Sequence, residues 1–356
     1  IEPVDKFVIK KNHNLFISKN VPSSFRSTSG TTGSPFVFQK DKFASTYMDA
    51  MMYLVYGWYG ILSSDKQARL WGRNLTITGK LIQRCKDVIL KRKRLSSFTM
   101  SDTDCKKFYF SLLKFKPKYI YCYPNALYQF GNSLKNQGIN PKNIGASIAI
   151  CTGEVLFPYL RKKIGNLFGC KVVNEYGSTE NGIIAFECEY ENLHVMPTVI
   201  IEIINPDSNG FGEIAVTELN SRSIPFIKYK NGDIGRLLNK DCPCGRSFEI
   251  LEIKEGRMDD FILCPNGSIV YDAILAYTLK DFAVHFKAVQ DKIDLLQIYI
   301  VPQNNFNKRS QIKIKKILNK YLGPEMRINF IAISSIPPNS SGKLRYFESK
   351  IRQRKH

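Results

Sequence analysis

The tightest constraint on the fold lies between residues 117 and 177, where short apolar runs alternate with helix-length segments. "KYIYCY" is strand-like, a helix is predicted near Ala126 to Asn136, and "ASIAIC" is strand-like again. "LFPYLRKKIGNLF" then reads as a helix and "KVVNEYG" as a strand running into a loop. Parallel strands need long crossovers, so strands alternating with helices argue for parallel α/β layers. Upstream, Phe43 to Tyr59 reads as a mostly buried helix, and Ser101-Asp102-Thr103-Asp104 as the cap of a helix through "FYFSLLKF". From Gly182 the pattern changes. "GIIAFEC", "LHVMPTVIIEII", "GEIAVTEL" and "IPFIKY" are closely spaced strands, which predicts an antiparallel or mixed β subdomain. "EGRMDD" (255–260) opens a last section of strand, Asn266-Gly267 hairpin turn, strand, helix, strands, a helix over Lys308 to Tyr321 and the strand "INFIAIS". The expected fold class is therefore α/β with a β-rich subdomain, followed by a small α+β domain. The expected domains are 1–257 and 258–356.

At 356 residues and 44% hydrophobic content the chain supports a large core, and no apolar run approaches the roughly 18 residues that span a bilayer. The 52 basic and 31 acidic residues leave a net charge of +21, which points to anionic partners such as a nucleotide, a coenzyme, a membrane surface or nucleic acid, or simply to a solvated basic face. The densest basic cluster is "KRKR" at Lys91 to Arg94. No helix-turn-helix, RNA-binding sheet or zinc-finger pattern accompanies the charge, so nucleic-acid binding is the disfavoured class. Cys85, Cys105, Cys122, Cys151, Cys170 and Cys264 are scattered through the chain, as thiols in a reducing cytoplasm would be. A cytoplasmic protein is expected.

Four stretches carry candidate chemistry. "STSGTTGSP" (27–35) has no helical or strand period. It is either a surface linker or a loop whose hydroxyls (Ser27, Thr28, Ser29, Thr31, Thr32) and glycines (Gly30, Gly33) wrap phosphates. It lacks the Gly-Lys-Ser/Thr ending of the P-loop. "NEYGSTE" (174–180) falls at a strand end, where α/β proteins bind ligands, and its Glu180 can hold magnesium together with phosphate oxygens. "YKNGDIGR" (229–236) places Asp233 in a turn, either as an ordinary turn aspartate or as an acceptor for both hydroxyls of a ribose. "NSSGKLR" (339–345) presents Lys343, which by itself reads equally as a solvated tail lysine.

A second set suits a metal. "FECEYENLHV" supplies Cys188 and His194, and "DCPCGR" supplies Cys242 and Cys244. Three thiolates and an imidazole form a closed tetrahedral structural zinc set, within residues 186–246 of the β subdomain. The alternative is four unrelated side chains, but "CPCG" is hard to explain as core packing.

Taken in order and approximate spacing, "STSGTTGSP", "TGEVL", "NEYGSTE", "IKYKNGDIGR", "EGRMDD" and "SSGKLR" resemble the adenylate-forming enzymes. The resemblance runs over essentially the whole chain and is strongest to the phenylacetate–CoA ligase branch, with its relatives in capsular polysaccharide clusters. It implies an adenylation domain at 1–257 and a small mobile lid at 258–356. It implies that Ser27 to Gly33 hold the β- and γ-phosphates of ATP. Gly153, Glu154 and Val155, with Asn174, Glu175, Tyr176 and Gly177, would line the adenine, and Ser178 would join the nucleotide contacts. Thr179 would touch the α-phosphate, Glu180 would bind magnesium and Asp233 the ribose, with Arg236 and Lys254 as further nucleotide contacts. Arg257 and Asp259 would form the hinge, and Lys343 would bridge carboxylate and α-phosphate. The family often has Arg where Lys228 stands, so Lys228 is assigned no role. Relatives in this branch can also carry a metal-binding Cys/His set at this place. The implied reaction is ATP-dependent formation of an acyl-AMP with loss of pyrophosphate, then transfer to an acceptor, most naturally coenzyme A. The alternative is an amide-forming or adenylyl-transferring enzyme. Only 26 residues precede Ser27 and the first residue is Ile, so further chain ahead of Ile1 is expected.

Overall fold

In the computed structural model, the described residues are 1–27, 36–71, 77–95, 100–153, 156, 158–255, 261–279, 281–334, 336 and 347–351. These divide into two compact units, 1–26 with 38–257, and 27–37 with 258–356.

The chain opens with β1 (Val4–Asp5), α1 (Lys6–Lys11) and α2 (His13–Phe16), then the paired strands β2 (Ser23–Ser27) and β3 (Val37–Asp41), and α3 (Lys42–Gly57). The alternating section follows: β4 (Gln67–Leu70), α4 (Ile77–Ile89), β5 (Arg92–Leu95), α5 (Asp102–Phe115), β6 (Tyr119–Cys122), α6 (Pro124–Asn136), β7 (Ile148–Thr152), α7 (Pro158–Phe168) and β8 (Lys171–Ser178). The strand-rich section comprises β9 (Gly182–Glu187), β10 (Leu193–Val195), β11 (Val199–Ile204), β12 (Gly212–Glu218), β13 (Tyr229–Leu238) and β14 (Ile250–Glu255). The expected β subdomain is not a separate sheet. All of these strands join one twelve-stranded sheet in the order β11-β12-β13-β14-β10-β9-β8-β7-β6-β4-β5, with β1 beside β13. β5, β4, β6, β7 and β8 are parallel, and the sheet turns antiparallel where β9 folds back on β8.

Why the parallel strands read as unbroken apolar runs is visible in their packing. Alternate residues of each strand enter different cores. Ile120, Cys122, Ala149, Cys151 and Val172 pack with Phe108 and Leu112 of α5, Leu127 and Phe130 of α6, and Leu160 and Ile164 of α7. Tyr119, Ile148, Ile150 and Val173 face Val55 and Tyr56 of α3. The helix starts follow local chemistry: the Ser101 hydroxyl accepts from Asp104 N at 3.1 Å, and Pro124 occupies the first turn of α6. Two sequence expectations change. α3 is only partly buried, through Ala44, Val55 and Tyr56, while Phe43, Tyr47, Tyr53 and Leu54 stay exposed, because one face alone meets the sheet. "KRKR" is not merely a surface cluster. Arg92 to Leu95 form β5, an edge strand whose charges suit a sheet margin.

The second unit holds β15 (Phe261–Leu263), β16 (Ile269–Tyr271), α8 (Ala273–Leu279), β17 (Ala283–Lys292), β18 (Leu295–Pro302), α9 (Lys308–Leu322), β19 (Arg327–Ala332) and β20 (Phe347–Ser349). β15 and β16 form the expected hairpin around Asn266-Gly267, with Gly267 at φ +79°. The remaining strands form a sheet in the order β19-β18-β17-β20, and α9 buries Ser310, Ile314, Leu318 and Leu322, which recur every four residues, while its Lys315 lies over the Phe330 ring of β19. Gln290, fully buried, donates to Leu263 O at 2.6 Å and accepts from Leu263 N at 3.2 Å, which ties the hairpin to β17.

One ion pair spans the first unit. Lys40 of β3 is fully buried, and its Nζ donates to Glu218 Oε1 of β12 and to the Glu180 carbonyl, both at 2.6 Å. Removing one partner strands the other charge in a dry site. Lys40→Met is expected to destabilise the protein by about 3–5 kcal/mol, and Lys40→Met with Glu218→Leu to recover most of that loss. Chemical denaturation of the two variants checks it.

Candidate functional site

The motifs at 174–180 and 229–236 lie far apart in the sheet, since β14, β10 and β9 separate β8 from β13. They nevertheless meet, which requires the sheet to coil strongly. Tyr176 donates its hydroxyl to Asp233 Oδ2 at 2.8 Å, and Asn231 Nδ2 donates to the Tyr176 oxygen at 2.6 Å. The Asp233 backbone N–H closes the set on Asn231 Oδ1 at 3.0 Å. A second cross-link runs from the Tyr229 hydroxyl to Glu180 Oε1 at 3.1 Å. Asp233 is thus in a strand, not in the expected turn. It lies in the irregular part of β13 between Lys230 and Ile234, which pair with Ala215 and Glu213 of β12, and Gly232 at φ +87° accommodates the register shift.

The β8–β9 turn is fixed from several sides. A side chain on Gly177 would put its Cβ 2.3 Å from the Gly182 carbonyl, so the close approach requires glycine. Asn181 N donates to Ser178 Oγ at 3.0 Å. Thr179 stands exposed at the turn, while Glu180 is buried beside it with its carbonyl on Lys40.

Other expected nucleotide residues are placed differently. The Glu175 carboxylate is turned into the core, where it accepts from the hydroxyls of Tyr121 at 2.8 Å and Tyr56 at 3.1 Å. Burial pushes this carboxyl up, while hydrogen bonds from Tyr121, Tyr56 and Thr152 pull it down. Burial also raises both phenols well above their ordinary value, so they remain protonated donors. Asn174 lies half-buried on β8, its backbone N–H held by Glu187 Oε2 at 3.0 Å. Arg236 is engaged by Glu252 at 2.7 Å and the Asn209 carbonyl at 3.0 Å, and stacks over Phe211. Lys228 pairs with Glu202 at 2.8 Å. Gly153 follows β7 at φ +78°, and a Cβ there would lie 2.9 Å from the Tyr123 ring. Ser27 ends β2 and Lys254 lies in β14. Thr28, Ser29, Gly30, Thr31, Thr32, Gly33, Glu154, Val155, Arg257, Asp259 and Lys343 lie outside the described residues.

Sequence reading passed over several groups here. Lys40, Tyr229 and Asn231 acquire meaning only through partners distant in the chain. Trp71, just beyond the carboxyl end of β4, stacks on Tyr121 and Tyr123 with ring centroids 5.3 and 4.3 Å apart. Its one sequence signal is an aromatic residue directly after the strand "QARL", where parallel sheets bind ligands.

The Cys/His set does converge. The ligand atoms of Cys188, His194, Cys242 and Cys244 all lie within 4.8 Å of one another. Cys188 Sγ is 3.7 Å from Cys242 Sγ, and Cys244 Sγ is 3.3 Å from His194 Nε2. The edge of a zinc–thiolate tetrahedron is about 3.7 Å, from Zn–S bonds of about 2.3 Å. His194 Nδ1 lies 3.2 Å from the Phe248 carbonyl, which orients Nε2 toward the thiols. Burial opposes the Cys242 thiolate, but hydrogen bonds from Cys244, Asn192 and His194 outweigh it and bring this thiol down to about 6. Burial pushes Cys188 up to about 11.

Comparison with known proteins gives a consistent picture. Residues 262–350 match the CapK C-terminal domain. The protein CapK of Staphylococcus aureus is 24% identical over 362 residues, covering 98% of this chain and 77% of CapK. A phenylacetate-coenzyme A ligase of Thermus thermophilus is 25% identical over 190 residues, covering 49% of this chain, which spans 42% of that ligase's length. Among solved structures, 2-hydroxyisobutyryl-CoA ligase in complex with 2-HIB-AMP and CoA superposes with a TM-score of 0.61 at 19% identity, covering 99% of this chain and 81% of the other. A malonyl-CoA ligase complex superposes with a TM-score of 0.52 at 17% identity, covering 88% of this chain and 71% of the other.

Proposed function

Because the chain belongs to the adenylate-forming superfamily, among phenylacetate–CoA ligase-like proteins and their CapK relatives, we propose that it activates a carboxylic acid with ATP. The observation that carries this reading is the meeting of the 174–180 and 229–236 motifs across the coiled sheet, where Asp233 and Glu180 are each held by a tyrosine from the other's motif. Asp233, oriented through Tyr176, accepts the ribose hydroxyls. Tyr229 occupies Oε1 of Glu180, which leaves the other carboxylate oxygen for magnesium. Magnesium, when bound, supplies positive charge to the phosphate oxygens at which charge develops. Thr179, exposed at the turn, donates to the α-phosphate, and the hydroxyls and backbone of Ser27 to Gly33 hold the β- and γ-phosphates.

A carboxylate attacks phosphorus slowly because both are anionic. Lys343 bridges them, the bond to the α-phosphorus forms, the bond to pyrophosphate breaks, and acyl-AMP results. The thiol of coenzyme A then attacks the acyl carbon and AMP leaves. A second reading, transfer to an amine or a sugar without coenzyme A, fits the reach of the similarity to CapK, which runs over 98% of this chain, whereas that to the Thermus ligase runs over 49%. The test is ATP–pyrophosphate exchange over a panel of carboxylic acids, with and without coenzyme A. Exchange should depend on added acid, and Lys343→Ala should reduce it on the order of 10²–10³-fold with the fold intact. Exchange independent of acid, or unaffected by that substitution, contradicts the reading.

We also propose that Cys188, His194, Cys242 and Cys244 hold a structural zinc ion. Four protein ligands leave no open position for chemistry, and Cys242 is poised to bind as thiolate. Protein purified without chelators should contain about one zinc per chain. Cys242→Ser should lose the metal and lower the melting temperature by several degrees. Metal analysis that finds no zinc contradicts the site.

A further inference from the structure

On the face of the sheet beneath α3, β4, β5 and β6 gather three arginines, Arg69, Arg92 and Arg94, against which the described residues set two carboxylates, Asp87 and Glu175. Their register sets Gln67 beside Arg92 and Tyr119, and Arg69 beside Arg94 and Tyr121, so all six project from one face. Arg94 is satisfied by both oxygens of Asp87, at 3.0 and 2.9 Å. Arg69 and Arg92 have no such partner among the described residues. Arg69 lies with its guanidinium carbon 4.5 Å from the Tyr121 ring centroid and 5.0 Å from that of Trp71. Its Nε is buried and meets no acceptor among the described residues, and on the same strand Gln67, 2% exposed, leaves its Oε1 without a donor among them. Glu175 feels the Arg69 charge, but its hydrogen bonds among the described residues come from the side chains of Tyr56, Tyr121 and Thr152, not from Arg69. Burial, followed by the nearby Arg69 charge, lowers the Arg92 guanidinium below its ordinary value.

Two half-buried guanidiniums in mutual repulsion, with an orphaned donor between them and an aromatic stack, are costly unless an anion completes the set. Lysine-rich surface does not explain them, because arginine stacked on aromatic rings presents a planar fork suited to carboxylate or phosphate oxygens. The position fits a ligand as well. Arg69 sits one residue before the carboxyl end of β4, and Trp71, Tyr121 and Tyr123 form a stacked wall at the ends of β4 and β6.

We propose that the acid activated by this protein carries a second anionic group, and that Arg69, with Arg92 behind it, receives that group beside the Trp71–Tyr121 stack. The ligand's identity as the activated acid rests on the ligase reading above. The anion site itself does not.

The test measures binding without turnover. Aromatic carboxylic acids bearing a second carboxylate, a sulfonate or a phosphate are titrated calorimetrically beside their neutral parents, with each set also run in the exchange assay. Wild-type protein should bind at least one dianionic acid about 10- to 100-fold more tightly than its parent, the worth of one or two charge-assisted hydrogen bonds. Arg69→Met should abolish that preference and Arg92→Met should reduce it. In exchange, Arg69→Met should act mainly on KM for the dianionic acid. Should Arg69→Met fail to fold, Arg69→Lys decides: a point charge keeps part of the preference but loses the two-point contact, for a loss of several-fold. A wild-type protein with no preference, or a preference undiminished in the Arg69 variants, overturns the inference. Arg69-dependent binding without exchange for any acid supports the site and counts against the ligase reading alone.

Discussion

The buried contact of Lys40 with Glu218 and the Glu180 carbonyl is the interaction on which the candidate site rests. It joins β3, β12 and the β8–β9 turn through a single ammonium group. Two charges taken out of water rarely add net stability, because desolvation offsets most of their attraction. What such a pair supplies is specificity. Any shift of β12 past β3, or of the turn away from both, leaves a buried charge unpaired. Asp41, the next residue, repeats the arrangement: one carboxylate oxygen caps α3 through Ala44 N at 2.8 Å, and the other accepts from Arg222 N at 2.9 Å and Ser223 N at 3.0 Å. The strand that follows the Ser27–Gly33 stretch is therefore anchored at two successive residues to the segment that carries β12.

From that anchor the coil of the sheet does the rest. β8 and β13 are separated by three strands, yet two tyrosine hydroxyls link them. Tyr176 and Tyr229 each serve the acidic residue of the opposite motif, so neither Asp233 nor Glu180 is positioned by its own strand alone. The Cys188–His194–Cys242–Cys244 cluster lies at another point of the same sheet, joining the β9–β10 segment to the loop before β14. Both features fasten strands distant in sequence, which is what a large mixed sheet needs to hold one curvature.

Much of this architecture is legible in the sequence because it is local. The alternation of "KYIYCY", "ASIAIC" and "KVVNEYG" with helical segments follows from strands buried on both faces, and the "NG" hairpin from a residue free to take positive φ. The Cys/His set is legible because few other arrangements explain "CPCG". What escapes is long-range. Lys40 and Glu218 are 178 residues apart, and nothing beside either marks a buried pair. β5 escapes because "KRKR" has the composition of a surface, and only its edge position makes it a strand. Asp233 reads as a turn residue because "NGD" usually is one, whereas the pairing of Lys230 and Ile234 with β12 carries the strand through it. Glu175 reads as a site residue by its motif, but strand alternation turns its carboxylate toward Tyr56 and Tyr121.

The central claim is that a carboxylate oxygen attacks the α-phosphorus of ATP. The most direct test follows that oxygen. An acid accepted by the protein is labelled with ¹⁸O in its carboxylate and incubated with ATP and hydroxylamine as a surrogate acceptor. Acyl-AMP formation transfers one labelled oxygen to AMP and none to pyrophosphate. Label found in inorganic phosphate alongside ADP, or turnover with no label in AMP, would contradict the account.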